Sequence, residues 1–387
     1  MSTSAEQRSF SRRMAGGYVG MFAPFAVLLA FVPLWFEAVG LDDGEIGVLI
    51  SITLLVRTIT TPPLTALADR FRDRSVVYVV AAAGAAVASL GYVLPPSLPL
   101  LTVVATLIAI GMAPAIPVGD AIGLTGVRRY GADYGSIRLW GSVAFMVVTI
   151  AAGELVRVHG VQLVPPLFTA LLVVTLLTGL RLPRLTMPGK VRRHSVRSVA
   201  TRPMMVVLAA SALAIGSHAT FYGFSSIHWA RLGFSETFIG LLWAVGVFAE
   251  IVLFAIARRA ALDAAPLTLM IVGAALGAAR WAMFTVEGGM AWYTVNSLLH
   301  AASFAAVHLA LQSYIAEHVD DERQASAQAL SQGFAGPVMA AATFASGWLY
   351  GALAADAFWL PAVMCAAATV MLAPLLNPRG RGRAARR

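Results

Sequence analysis

Apolar residues in this chain come in long runs, broken by short polar clusters. Twelve mostly apolar stretches fall near 15–38, 46–68, 75–94, 98–127, 139–160, 162–182, 203–228, 237–257, 266–285, 291–316, 325–351 and 357–376. Each is about the 20 residues an α-helix needs to cross bilayer hydrocarbon. A helix satisfies its own backbone groups, as a lipid-exposed segment must. The pattern therefore predicts an all-α membrane protein of twelve transmembrane helices. The longest polar interruption, 183–202, contains Pro183 and Pro188 and no apolar run. It reads as a linker between two six-helix bundles, 15–182 and 203–376, with tails at 1–14 and 377–387.

Composition agrees with this reading. The chain is 59% hydrophobic and 12% charged, with a mean hydropathy of +0.78. A soluble domain carries about a quarter charged residues. The net charge of +9 could point to nucleic acid, but its distribution does not. Of 28 Lys and Arg residues, 23 fall on one side of the predicted helices, in 1–14, 69–74, 128–129, 181–202, 258–259, at 323 and in the tail. The opposite side has only Arg157 and Arg231. Such asymmetry marks the cytoplasmic side, which puts both termini there and the protein in a bacterial inner membrane. The single cysteine, Cys365, excludes an internal disulfide framework and a cysteine-based metal site. The first apolar stretch is too long for a cleaved signal peptide.

An internal repeat supports two halves. Residues 40–49 read GLDDGEIGVL and residues 233–242 read GFSETFIGLL, an offset of 193 that also sets Arg57 opposite Glu250. Repeated halves with a ligand site between them near midplane are a transporter arrangement.

The candidate chemistry lies in charges within apolar segments. Asp120 ends one stretch and Arg138 begins the next, across a turn holding Arg128, Arg129, Gly131 and Gly135. A helical hairpin brings the two to similar depth, roughly 8–12 Å inside the turn. A charge there costs ~2.5–3.5 kcal/mol in lipid, so each needs a partner or a wet cavity. Arg57 lies mid-segment on a stripe with Thr53, Thr61 and Thr65, and Phe145 shares a helix face with Arg138. His218 and Tyr222 share a stripe, as do Asn296, His300 and Ser303. Glu250 and Arg280 are the deep acid and deep arginine of the second half. A buried carboxylate or a histidine can carry a coupling proton. There is no Walker A, HExxH or G-x-S-x-G pattern, so neither an enzyme nor a cofactor or metal site is predicted.

The turn LADRFRDR at 67–74 resembles the helix 2–3 motif of the major facilitator superfamily, with Thr65 and Arg72 at the usual glycine positions and Asp73 at a usually basic one. DYGSIRLWGSVAF at 133–145, SHATFYGFSSIHW at 217–229 and VGVFAEIVLF at 245–254 resemble the 3-phenylpropionic acid transporter group, with a more distant similarity to lactose permease. The resemblance implies alternating access and proton-coupled import of a small organic acid such as an aromatic carboxylate. It implies Arg138 as the carboxylate's partner, Asp120 as its resting counterion, and Phe145, Tyr222 and Trp229 as ring contacts, with His218 and Arg57 also facing substrate. Glu250, Arg280 and His300 would form the proton-coupling group. The helix 10 acid of the permease falls on Ser303, so the proton site differs. Partners would be substrate, protons and lipid, around a monomer. The alternatives are proton-coupled export of hydrophobic compounds, a nucleoside or sugar symporter, and a sensor that binds without translocating.

Overall fold

The structure, a computed structural model, describes residues 4–185, 195–260 and 265–376. The centre of the expected linker, 186–194, and the basic tail lie outside the described residues. Among the described residues every element is helical. In chain order the α-helices are α1 (Ser4–Ala30), α2 (Val32–Ala38), α3 (Asp43–Ala68), α4 (Ser75–Ser89), α5 (Leu98–Met112), α6 (Ala115–Tyr130), α7 (Tyr134–His159) and α8 (Val164–Gly179). They continue as α9 (Arg202–Gly216), α10 (His218–Arg231), α11 (Glu236–Ala260), α12 (Pro266–Phe284), α13 (Met290–Leu298), α14 (Ala306–His318), α15 (Gln324–Leu353) and α16 (Trp359–Leu372).

Among the described residues, eleven segments are long and apolar enough to cross a membrane. The last, Asp321–Leu376, is 56 residues long and contains both of the final stretches expected from the sequence. A short 3₁₀ turn, Ala354–Phe358, with Asp356 as its one charged residue, joins α15 to α16, and Ala354 has φ +48° at that corner. Val80, Val87, Val147, Val363 and Val370 are more than half exposed on these helices. Lipid tails cover such side chains at no cost, whereas water would not.

Among the described residues, four of the first ten spans are broken. α1 gives way to α2 at Phe31, beside Pro33, and α5 to α6 at Ala113–Pro114. α9 gives way to α10 at Ser217, and a π-helical turn, Ala301–Ala305, separates α13 from α14. Proline explains the first two breaks. Single π turns inside helices recur at functional sites, and this one follows His300 directly.

The chain forms two compact units, Met1–Gly189 with Ser226–Ala244, and Lys190–Ser225 with Val245–Arg387. In the first, α1 packs on α7 and α8, and α4 packs on α5 and α8. In the second, α9 packs on α15 and α16, and α12 packs on α14 and α16, which is the same order. Phe10, Met14, Tyr18, Val118, Ile122 and Ile137 centre the first core. Met204, Leu208, Met270, Val307, Leu311 and Leu372 centre the second.

The repeat is visible in the backbone. Gly40 and Gly233 both take positive φ, +97° and +82°. Leu41 N–H donates to the Phe36 carbonyl at 3.1 Å, and Phe234 N–H to the Trp229 carbonyl at 3.0 Å, so both helices end in the same glycine-dependent turn. Asp42 Oδ1 then accepts from Glu45 N–H at 2.8 Å, and Ser235 Oγ from Phe238 N–H at 3.3 Å, capping the next helix.

The two arginines of the sparsely basic side are both ion-paired within the first unit. Arg231 bridges Glu37 and Asp43, at 2.8 and 2.9 Å. Arg157 pairs with Glu154, whose other contact is the Thr237 hydroxyl at 2.7 Å. Next to them, Gly240 lies against the Thr149 carbonyl and Gly153 against the Glu236 carbonyl, where side chains would collide with backbone.

Candidate functional site

The ten candidate residues divide between the units. The first holds Arg57, Asp120, Arg138, Phe145 and Trp229; the second holds His218, Tyr222, Glu250, Arg280 and His300.

In the first unit, Gly131 at φ +65° ends α6 and Asp133 caps α7, accepting from Gly135 and Ser136 N–H. This tight turn sets Asp120 level with Arg138, with Arg138 Nε 4.0 Å from Asp120 Oδ1. That is the outer limit of an ion pair. The same oxygen accepts two shorter bonds, from Tyr18 Oη at 2.7 Å and Tyr134 Oη at 2.9 Å. The Arg138 guanidinium lies over the Phe22 ring, 4.1 Å from its centroid, and 5.3 Å from that of Tyr18. Both ionic side chains are about one-third exposed. Two glycines make room: a Cβ at Gly123 would meet Tyr18 Oη at 3.1 Å, and one at Gly141 would lie 2.8 Å from the Phe22 ring.

Arg57 lies over the Phe25 ring at 5.7 Å. The hydroxyls of its stripe are spent locally: Thr53 donates to Ile50, Thr61 to Arg57 and Thr65 to Thr61 carbonyls. Phe145 is buried and packs 6.4 Å from the Trp243 ring, and Trp229 is fully buried. The rings beside Arg138 are instead Phe22 and Tyr18. The sequence reading missed Tyr18, Phe22 and Tyr134. The 4-then-3 spacing of Tyr18, Phe22 and Phe25 was the available signal.

The second unit gathers Glu250, His300, Arg280 and His218 into one chain of contacts. His300 Nε2 is 2.8 Å from Glu250 Oε1. Its Nδ1 is 3.1 Å from Arg280 Nη1. Guanidinium only donates, so Nδ1 accepts and the imidazole proton sits on Nε2, directed at Glu250. His218 has the opposite tautomer: Nδ1 donates to the Ile215 carbonyl at 3.2 Å, and Nε2 faces Arg280 Nη1 and Ser303 Oγ, both at 3.3 Å. Arg280 Nη1 also donates to Ser303 Oγ at 3.0 Å, and its Nε to the Asn296 carbonyl at 3.0 Å. The guanidinium is fully buried, 4.2 Å from the Trp281 ring centroid, and its Nη2 has no hydrogen-bond partner among the described residues. Tyr222 lies against the His218 ring at 5.9 Å. Thus one carboxylate and one guanidinium are connected through a neutral imidazole.

A profile of the MFS_1 like family matches residues 11–360. The chain is 29% identical over 394 residues to the "Probable 3-phenylpropionic acid transporter" of Escherichia coli (strain K12), covering 95% of this chain and 98% of that one. It is 27% identical over 321 residues to the "Maltose permease" of Geobacillus stearothermophilus, covering 81% and 80%. Among solved structures, nucleoside transporter NupG superposes with a TM-score of 0.79 at 14% identity, over 95% of this chain and 98% of that one. The human organic anion transporter MFSD10 superposes with a TM-score of 0.65 at 14% identity, over 95% and 99%.

Proposed function

The chain belongs to the MFS_1 like family, and from that premise we propose a secondary transporter that imports a small aromatic carboxylate together with protons by alternating access. Its twelve crossings form two six-helix bundles, joined by the basic linker, with both termini in the cytoplasm and the monomer in a bacterial inner membrane. One observation carries the substrate class. The Arg138 guanidinium lies over the Phe22 ring, 4.1 Å from its centroid, while the oxygen of Asp120 nearest to it is taken by two phenols. A guanidinium held against a ring by cation–π attraction still carries N–H donors for a carboxylate. The same ring offers an apolar surface to the rest of an aromatic acid. The name of the Escherichia coli relative supports this reading.

Coupling would use the Glu250–His300–Arg280 chain. A second proton on His300 must go to Nδ1, the atom that accepts from Arg280. Protonating His300 therefore removes this acceptor from Arg280, which keeps its bonds to Asn296 and Ser303. An uptake cycle that alternates protonation with rearrangement needs such an exclusive pair of states.

The test is thermal unfolding of purified protein with 3-phenylpropionate, followed by uptake in right-side-out vesicles under an inward proton gradient. An acid-dependent melting shift that Arg138→Ala abolishes, with gradient-driven uptake, supports the proposal. A full shift in Arg138→Ala defeats the site assignment, and gradient-stimulated efflux favours the exporter. Binding without counterflow in proteoliposomes favours the sensor, and a shift with nucleosides or sugars alone favours those symporters.

A further inference from the structure

We infer that Tyr18 and Tyr134 set the selectivity for anions by holding the Asp120 carboxylate away from Arg138, so that the guanidinium edge stays available to substrate. The inference rests on Arg138 being the substrate's partner. An Asp and an Arg on adjacent helices at matched depth would ordinarily neutralise each other. A carboxylic acid would then have to displace Asp120 before it could bind, and a site so paired would discriminate weakly between an acid and its uncharged analogue. Here the competition is decided by geometry. Both phenols donate to Asp120 Oδ1, at 2.7 and 2.9 Å, and Arg138 Nε remains 4.0 Å from that atom. The phenols come from two helices packed against each other, α1 and α7, and Tyr18 is fully buried. Its ring is therefore fixed by packing, and Gly123 on α6 leaves the space its hydroxyl occupies. The edge-on contact of the Tyr18 and Tyr134 rings, 6.4 Å between centroids, keeps the second phenol in register. Meanwhile the Arg138 guanidinium rests over the Phe22 ring.

Tyr18 and Tyr134 are positioning residues in this account. Neither needs to touch the ligand. Without their hydroxyls the Asp120 carboxylate loses two donors, and the nearest cation is Arg138. A Tyr→Phe change removes the hydroxyl and keeps the ring, so the packing of α1 against α7 is retained.

The experiment compares binding of 3-phenylpropionate with that of 3-phenylpropionamide, its uncharged counterpart, to purified full-length protein. The acid-to-amide affinity ratio is read for wild type, for Tyr18→Phe/Tyr134→Phe, and for the same double variant carrying Asp120→Asn. The expected result is a ratio that falls on the order of tenfold in the double variant and recovers when Asp120→Asn removes the competing charge. An unchanged ratio in the double variant overturns the inference. So does a fall that Asp120→Asn fails to restore, because the phenols would then serve packing alone. A second readout needs no substrate. Phenylglyoxal modification of Arg138, followed by peptide mass spectrometry, should slow in the double variant and recover with Asp120→Asn, and equal rates in all three proteins overturn the inference. If wild type binds neither compound, the aromatic-acid reading has failed, and the labelling rates still decide whether the phenols govern Arg138.

Discussion

His300 stands between Glu250 and Arg280, 2.8 Å from the acid and 3.1 Å from the arginine. Their charges should nevertheless be energetically coupled, and a double-mutant cycle measures this. Replacing Glu250 with Gln leaves a fully buried Arg280 without the acid that its contact with His300 leads to. Losing one member of a buried pair costs about 3–5 kcal/mol. Glu250 is 19% exposed and acts through an imidazole, so the lower figure for a hydrogen bond to a charged group, about 2 kcal/mol, is the better expectation. At about 2–4 °C per kcal/mol this is a melting-temperature drop of roughly 4–8 °C. Arg280→Met also destabilises, through its lost bonds to Asn296 and Ser303. With both charges gone nothing ionic remains stranded, so the double variant should be more stable than the sum of its parts by about 1–2 kcal/mol. His300→Phe, which removes the connection, should add little to Glu250→Gln. Thermal unfolding in detergent, with denaturant titration for the free energies, supplies the four corners. Additivity within about 0.5 kcal/mol would refute the argument that the imidazole transmits charge between the two groups.

Four further outcomes follow from the packing. Arg231→Gln strands Glu37 and Asp43 and should destabilise by about 1 kcal/mol, since the arginine is partly exposed; the loss should shrink at high salt, checked by melting at two ionic strengths. Gly240→Val should destabilise by about 1–3 kcal/mol because the added carbons meet the Thr149 backbone, whereas Gly84→Ala, with no heavy atom within 4 Å, should stabilise α4 by about 0.5–1 kcal/mol; parallel melts compare them. Ala354→Gly relieves the positive φ between α15 and α16 and should raise stability by up to about 1 kcal/mol, read the same way.

How far this site could be read from the chain depended on what each residue costs in lipid. Asp120, Arg138, Glu250 and Arg280 stand out because an ionised group in an apolar run is expensive wherever it faces. Gly40 and Gly233 stand out because a repeated glycine at a helix end marks a backbone requirement, and both do take positive φ. The breaks at Phe31 and Ala113 had prolines to announce them, while Ser217 and the π turn after His300 had none, since serine and alanine sit equally well in a continuous helix. The neutral partners were hidden for a related reason. A tyrosine in an apolar run costs little whether its hydroxyl points at a carboxylate or at the headgroups, so hydropathy cannot separate Tyr18 from Tyr78, which is buried against the Thr175 carbonyl in the same unit. What separates them is the acid on α6, 102 residues away in sequence from Tyr18 and 2.7 Å away in space. Gly123 and Gly141 follow from the same contact: each is required by a side chain on α1 that has to lie against it. In a chain this apolar, the charged residues can be located one at a time. The neutral ones that decide whether those charges pair with each other or remain open to a ligand acquire meaning only through the helix packed across from them.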